Sequence, residues 1–311
     1  MLALPTKGIS RSISEHNSDL DTMCDWIEGS VLFVDNELSS ADVVETLVEG
    51  NIYDDSDMGF EMVASTWTEI RRRQSGLGNS TPFSIDANRI TRTREWRRVP
   101  GYSFCLVASL AALYPSELRQ VSRHNYTEQG MLFEELTKAS LEHQFSDWQF
   151  FVTGWSRKRT DQIEKKVAEI ASRLHEKVGD IKRWTTGDEN DAGLDLLCYR
   201  PFKDSRVAIP VYLMQCASGK NWENKLHEPV LAIWKRIIEF ACDPIKAFST
   251  PFAMEDDKFL RACVLVQGML MDRYRILEAG EYNQNWVSTA LAKRIIKWVK
   301  PRISKLPQLE V

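Results

Sequence analysis

The sequence contains neither paired cysteines nor a long apolar run. Its cysteines stand singly, with no CxxC pair, at Cys24, Cys105, Cys198, Cys216, Cys242 and Cys263. Isolated cysteines in apolar surroundings are typical of buried thiols in a reducing compartment rather than of a disulfide framework or a zinc site. No segment approaches the roughly 20 apolar residues of a membrane span, and the amino-terminal residues lack the apolar core of a signal peptide. We therefore expect a soluble cytoplasmic protein with no membrane partner.

An excess of basic residues is also missing, because 40 Lys and Arg stand against 44 Asp and Glu, a net charge of −4. Clustered Lys and Arg supply phosphate contacts, so any nucleic-acid surface of this chain must be local. One basic cluster surrounds Trp96 and contains Arg92, Arg94, Arg97 and Arg98. Basic residues beside an aromatic ring can clamp a phosphate backbone and stack a base, although a solvated helix face is the common alternative.

A chain of 311 residues can bury two cores, and its patterns predict four parts. These are a polar, loosely packed segment 1–22, a mostly helical domain 23–126, an α/β domain 127–276, and a closing helix and tail 277–311. Within the α/β domain we predict, in order, a helix from residue 129, a strand 147–153, an amphipathic helix 163–174, strands 193–199 and 209–216, a helix 222–240 and a strand 245–250. Two C-terminal helices are predicted over 259–276 and 286–299.

The most informative polar residues interrupt the two strands 193–199 and 209–216. Asp195 lies in the first apolar run and Gln215 in the second. A charge in an apolar strand costs desolvation energy unless a metal, a donor or water meets it. Carboxylate and amide oxygens are hard ligands that suit Mg²⁺ or Mn²⁺. We predict that the two side chains share one face of the sheet and can share one ion, with a salt-bridged aspartate and a strand-end amide as the alternatives.

Two lysines, Lys220 and Lys225, follow the second strand. A lysine near a bound metal can orient the attacking water and stabilise the charge that develops on a phosphate. Asp188 and Asp191 precede the first strand and are weaker ligand candidates, because acidic turns are common for conformational reasons.

The order of these elements and residues resembles the PD-(D/E)XK, or restriction-endonuclease-like, nucleases over residues 129–251. The resemblance implies an αβββαβ core with Asp195 on its second strand and Gln215 on its third, and it implies Glu134 on the first core helix as a further metal ligand. An amphipathic helix is inserted after the first strand. Where the family has a lysine two residues after the acid or glutamine, this chain has Ala217, so the catalytic lysine would be the displaced Lys220 or Lys225.

The resemblance further implies Mg²⁺- or Mn²⁺-dependent hydrolysis of nucleic-acid phosphodiesters, with DNA favoured over RNA. Nucleases of this kind serve prokaryotic defence or mobile-element systems beside a protein partner that supplies targeting or activation. Ala217 keeps open a catalytically inactive binding or assembly subunit. Another alternative is a Cys216 nucleophile with a histidine base, drawn from His124, His143, His175 and His227. A phosphate-binding loop at 218–221 is excluded because the upstream glycine spacing is missing.

Overall fold

The protein is described by a computed structural model that covers residues 1–5, 7–9, 19–122, 126–153, 161–184, 193–282 and 285–309. It is a mixed α/β protein with a mixed β-sheet. The chain divides into two compact units. The first unit comprises Met1–Leu132, Pro251–Glu255 and Arg273–Val311, and the second comprises Phe133–Thr250 and Asp256–Asp272. None of the helices in the described ranges combines the length and apolar character that a membrane crossing requires.

In the described residues the α-helices are α1 (Leu20–Phe33), α2 (Ser40–Glu49), α3 (Ser56–Leu77), α4 (Pro100–Leu113), α5 (Arg119–Ser122), α6 (Tyr126–Gln144), α7 (Asp161–Leu174), α8 (Ile181–Trp184), α9 (Leu231–Ile237), α10 (Asp256–Val266), α11 (Arg273–Leu277), α12 (Ala279–Tyr282) and α13 (Thr289–Ile303). The strands are β1 (Glu37–Ser39), β2 (Phe83–Ile85), β3 (Arg89–Arg92), β4 (Gln149–Val152), β5 (Lys177–Val178), β6 (Leu196–Tyr199), β7 (Val211–Cys216), β8 (Ile238–Glu239), β9 (Ile245–Ser249) and β10 (Met269–Met271). Single 3₁₀ turns lie at Gly78–Ser80, Trp96–Arg98 and Trp222–Lys225.

The first unit is mostly helical and encloses its own core. Helix α4 is apolar on all sides and is buried along most of its length, as expected of a central core helix. The rings of Phe104 on α4 and Trp298 on α13 lie 4.8 Å apart. Residues 277–311 were predicted as a separate closing segment, but they belong to the first unit because the apolar face of α13 packs on α4.

The amino terminus also contributes to this core, which corrects the predicted loose packing of segment 1–22. Leu2 is completely buried, and Trp26 Nε1 donates a hydrogen bond of 3.0 Å to its carbonyl oxygen. Helix α1 already begins at Leu20, where the Asp19 carboxylate caps it by accepting from the N–H of Thr22 at 2.9 Å. The few apolar residues of a polar segment are therefore enough to fix part of it on the core.

The second unit is built on a sheet with the strand order β10-β9-β7-β6-β4. Strand β6 runs antiparallel to both β4 and β7, whereas β7, β9 and β10 are parallel to one another. Helix α7 lays its predicted apolar stripe on one face of this sheet, where Val167 and Ile170 join Leu197 and Leu213 in one buried cluster. The predicted amphipathic helix and the two central strands are thus confirmed.

Two predicted helices of this region are wrong in part. Residues 259–276 form α10, strand β10 and then α11, because Gly268 ends the helical run. A Cβ on Gly268 would lie 1.9 Å from the carbonyl oxygen of Lys246, so only glycine allows β10 to approach β9 so closely. Residues 222–240 form the 3₁₀ turn Trp222–Lys225 and the shorter α9, with Pro229 between them. Proline cannot continue a helix interior, which explains the interruption.

Candidate active site

The structure brings Asp195 and Gln215 together on neighbouring strands. Asp195 directly precedes β6, and Gln215 is the fifth residue of β7. Leu196 is registered against Met214, so the antiparallel ladder places Asp195 opposite Gln215. Gln215 Nε2 donates to Asp195 Oδ2 at 2.5 Å. The prediction that the two side chains share one face of one mixed sheet is confirmed.

The site lies at the edge of the buried core. Gln215 is 3% exposed, whereas Asp195 is half-buried. The backbone of Asp195 continues the sheet, since its N–H donates to the carbonyl of Met214 at 3.0 Å and its carbonyl accepts from Thr153 at 3.0 Å. Asp195 Oδ2 also accepts from the N–H of Cys216 at 2.8 Å. Sheet pairing therefore fixes the carboxylate, and both of these donors to Oδ2 are neutral amides.

Glu134 lies on α6 and is half-buried. Burial raises the pKa of the Cys216 thiol well above its usual range, and the charges of Asp195 and Glu134 raise it further. Glu134 and Asp195 therefore both lie within electrostatic range of the same thiol. These neighbours disfavour the thiolate form, which argues against Cys216 as a nucleophile.

Gly193 shapes the approach to this pair. Its φ is +70°, and a Cβ at this position would lie 2.7 Å from Glu228 Cβ and 3.2 Å from Gln215 Oε1. Glycine is therefore required both by the backbone conformation and by the close approach of two side chains. Glu228, whose Cβ and Cγ lie close to Gly193, is an acid near the pair that the sequence interpretation missed. The sequence around Glu228 gives little indication of such a position, because an acid before a proline in a loop is common.

The two lysines predicted for catalysis lie on the exposed surface. Lys220 follows β7 in a turn, and Lys225 ends the 3₁₀ turn Trp222–Lys225 rather than beginning a longer helix. Within the described part of the chain neither lysine side chain forms a hydrogen bond or an ion pair, and the Lys225 carbonyl accepts from the N–H of Glu228 at 2.8 Å. Ala217, in the usual lysine position, is buried, and its N–H donates to the carbonyl of Ser249 at 2.9 Å.

A third lysine, Lys246, was not predicted and lies inside the sheet. Lys246 lies opposite Leu213 of the neighbouring parallel strand β7. Phe248, two residues after Lys246, lies opposite Gln215. Alternate residues of a strand share a face, so Lys246 lies on the face of Gln215 and Asp195. Its Nζ donates to the carbonyls of Leu226 and His227 at 3.4 and 3.3 Å. The contacts hold the segment that carries Glu228, and burial lowers the pKa of Lys246.

The four arginines of the predicted basic cluster differ in their contacts. Arg92 supports the fold, since it donates to the carbonyl of Leu32 at 3.1 Å, to Asn36 Oδ1 and to Glu95. Arg94 donates to the carbonyl of Asn79 at 2.8 Å. Arg97 and Arg98 are exposed, and the Arg97 guanidinium lies 4.3 Å from the centre of the Trp96 ring.

The first unit contains a polar group that the sequence interpretation missed entirely. This buried ionic cluster consists of the acids Asp21, Asp25, Glu28 and Glu69 and the arginines Arg73 and Arg273. Arg273 is fully buried and binds Asp25 through two hydrogen bonds of 2.7 and 3.0 Å. Arg73 contacts all four acids within 3.4 Å.

Two acids of the buried ionic cluster have pKa values shifted in opposite directions. Burial acts to raise the pKa of Asp25, but Arg273 and Arg73 outweigh it, so that this pKa is lowered. Burial raises the pKa of Glu28 despite the same arginines, and Tyr102 donates to Glu28 Oε2 at 2.8 Å. Charges buried in this way are tolerated only when they are paired. The cluster therefore supports the fold of the first unit.

The donors beside Asp195 fit a magnesium-type ion in part. In the residues that the structure describes, no three His, Cys, Asp or Glu side chains converge on one point as a metal site. Gln215 turns Nε2 toward Asp195 in this structure, and rotation of the amide would give one carboxylate and one amide oxygen, which with water and substrate phosphates form a ligand set that Mg²⁺ accepts. Three further candidates, Asp188, Asp191 and His124, lie outside the described residues.

Comparisons of the chain with protein-family models, with curated proteins and with solved structures found no match.

Proposed function

We propose that the second unit is a metal-dependent nuclease of the PD-(D/E)XK type, with Asp195 and Gln215 as its central pair. The observation that carries the proposal is the contact of these two side chains across adjacent strands. The order of α6, β4, β6, β7, α9 and β9 supports it, because αβββαβ is the core that the resemblance implies. The proposed substrate is nucleic acid, with DNA favoured over RNA by the resemblance.

Each residue of the proposed site has a distinct task. A bound Mg²⁺ or Mn²⁺ would polarise a phosphoryl oxygen and lower the pKa of an attacking water. Asp195 would hold the ion as its charged ligand, and Gln215 would offer Oε1 as a neutral one. Glu134 is proposed as a further ligand from α6. Gly193 lets the Glu228 and Gln215 side chains lie close to the backbone beside the pair.

The catalytic lysine is proposed among Lys220, Lys225 and Lys246. The first two can move toward a substrate because both are exposed and are not held by described residues. Lys246 is held on the correct face, and its lowered pKa leaves it easier to deprotonate than a surface lysine. Its carbonyl contacts also give it a positioning role for Glu228. Replacing each lysine by methionine should identify the catalytic one, because only that variant loses cleavage while retaining most substrate binding.

The central test is the Asp195→Ala variant. It should reduce Mg²⁺- or Mn²⁺-dependent cleavage of DNA by about 100-fold or more, because it removes the charged ligand of the site. The protein should remain folded, with a free energy of unfolding lower by about 1–3 kcal/mol, because the buried donors of Gln215 and Cys216 lose their acceptor. The matched control is Asp204→Asn, which changes an exposed acid in the loop between β6 and β7. A variant of Asp195 that cuts as fast as the parent would refute the assignment.

A second candidate function is a nuclease-like binding or assembly subunit without catalysis. The buried Ala217 in the usual lysine position favours it, together with the surface location of Lys220 and Lys225. This candidate replaces the first if the parent protein cleaves neither DNA nor RNA with Mg²⁺ or Mn²⁺. A partner protein that supplies targeting or activation, in a defence or mobile-element system, is compatible with either function.

A further inference from the structure

The first unit contains a cavity of about 270 Å³ at the start of helix α4. Its walls come from the 3₁₀ turn Trp96–Arg98, the first turn of α4, and the residues that precede α13. Arg94, Arg97 and Arg98 all line it, and no aspartate or glutamate does so among the described residues. Arg97 and Arg98 have no acidic partner among the described residues, and three guanidinium groups around one small space give it a positive potential.

The three arginines remain available to a ligand to different degrees. Arg97 and Arg98 are exposed and form no ion pair within the described residues. Among the described residues, the Arg97 guanidinium contacts the Trp96 ring, with 4.3 Å between the guanidinium carbon and the ring centre. Arg94 uses Nη1 to donate to the carbonyl of Asn79, which fixes its side chain at the cavity wall. Two free guanidinium groups and one fixed guanidinium suit an anion with several acceptor oxygens.

The backbone adds further donors at the same place. Helix α4 has 14 residues, and its N-cap residue Val99 provides no side-chain cap. The first N–H groups of a helix have no intrahelical acceptor, and here Gly101 and Tyr102 both line the cavity. The positive end of the helix dipole therefore reinforces the arginines.

Neutral and aromatic groups complete the wall of the cavity. Ser80 Oγ is buried and has no hydrogen-bond partner, although it lines the cavity. A Cβ on Gly280 would come within 3.1 Å of this hydroxyl and 2.9 Å of Trp286 Nε1. The absence of a side chain at Gly280 thus lets the hydroxyl and the indole lie together. Trp286 supplies an aromatic surface on which a flat ring can stack.

We propose that this cavity binds the phosphate monoester of a mononucleotide. The arginines and the N-terminus of α4 would hold the phosphate, Ser80 would donate to it or to the sugar, and Trp286 would contact the base. The volume is slightly below the range of about 300–1,000 Å³ typical of small-molecule sites, which favours a ligand of mononucleotide size over a larger one. The site belongs to the first unit and uses none of the residues proposed for cleavage.

The test is isothermal titration calorimetry of the full chain with 5′-AMP, 5′-GMP, adenosine and inorganic phosphate. Both nucleotides should bind, inorganic phosphate should bind more weakly, and adenosine should not bind detectably, because the phosphate supplies the charge contacts. Arg97→Gln or Arg98→Gln should each weaken 5′-AMP binding about tenfold, and the double variant about 100-fold. Both residues are exposed, so unfolding of the variants should match that of the parent. Lys297→Gln, an exposed cation on α13, is the matched control and should bind as the parent does.

Two results would overturn the proposal. One is a parent protein that binds no mononucleotide, including the case in which only a 5′-phosphorylated oligonucleotide binds. The other is an Arg97→Gln, Arg98→Gln double variant that binds 5′-AMP with the parent affinity.

Discussion

Replacing Arg273 by methionine should strongly destabilise the first unit. The side chain is completely buried and makes four hydrogen bonds: two to Asp25, one of 2.7 Å to Ser109 Oγ and one of 3.0 Å to the carbonyl of Pro251. Methionine fills a similar volume but donates no hydrogen bond. The variant would leave Asp25 buried with Arg73 as its remaining cation, at 3.1 Å.

The expected loss follows from the cost of an unpaired buried charge. Breaking a buried ion pair by removing one partner costs about 3–5 kcal/mol. Arg73 still compensates part of the charge of Asp25, so we expect a value near the lower end, about 3 kcal/mol. This is a large part of the roughly 5–15 kcal/mol by which folded proteins are usually stable.

Urea unfolding at pH 7 measures this loss as a lower midpoint with an unchanged slope. Arg206→Met provides the control, because Arg206 is 83% exposed and lies 3.9 Å from Asp204. Such a surface change should alter the free energy of unfolding by no more than about 0.5 kcal/mol. If Arg273→Met also costs less than about 1 kcal/mol, the buried ion pair does not have the importance assigned to it here.

The pH dependence gives a second check on the same variant. In the parent, folding lowers the pKa of Asp25. Asp25 therefore stabilises the folded protein at pH values above the pKa that it has in the unfolded chain. This stabilisation is lost as the pH falls through the lower pKa that it has in the folded protein. Without Arg273, burial would raise the pKa of Asp25 again. Protonation would then relieve the unpaired charge in acid, so the difference between variant and parent should be smaller at pH 4 than at pH 7.

Two further changes test other parts of the structure. Glu28→Gln should be nearly neutral or stabilising at pH 8, because the raised pKa of Glu28 means that its contribution to stability is lost as the pH rises through that value. Urea midpoints at pH 6 and pH 8 measure this, and a strongly destabilised variant at both values would contradict it. Gly193→Ala should cost about 1–3 kcal/mol and reduce cleavage, since φ is +70° and the new Cβ would meet Glu228. Gly219→Ala, where nothing lies within 4 Å, is the control, and equal behaviour of the two variants would remove the role assigned to Gly193.

The central pair of the second unit could be predicted because its signal is local. Asp195 and Gln215 each interrupt a short apolar run, and the loop between the runs is short enough to indicate antiparallel neighbours. Side chains that alternate across a strand then place both residues on one face once the register is known. Strand β10 was not predicted, because its three apolar residues follow a helix of similar composition. Only Gly268 indicates where the helix gives way to the strand.

The buried ionic cluster could not be predicted, because its partners lie far apart in the chain. Arg273 and Asp25 are separated by 248 positions. The sequence near the acids is informative, because Asp25 and Glu28 stand among apolar residues beside Trp26 and Ile27, whereas nothing near Arg273 identifies its partner. Such a pattern indicates that a buried cation is needed, but 40 Lys and Arg residues are available to supply it. Lys246 could not be predicted for the same reason, because its position beside the pair depends on the register of β9 against β7.

The carboxylates of Asp25 and Asp195 have different kinds of hydrogen-bond donors. Asp25 binds guanidinium groups that are themselves buried, so any change of partner would leave a charge unpaired at a cost of several kcal/mol. Asp195 Oδ2 binds two neutral amides, and a cation that binds there can replace the Gln215 donor while the Gln215 amide turns its Oε1 toward the ion. A carboxylate that can change partners at low cost suits a site that takes up an ion and a substrate phosphate and then releases them. Substitutions at Asp25 should therefore be detected first as lost stability, and substitutions at Asp195 as lost chemistry.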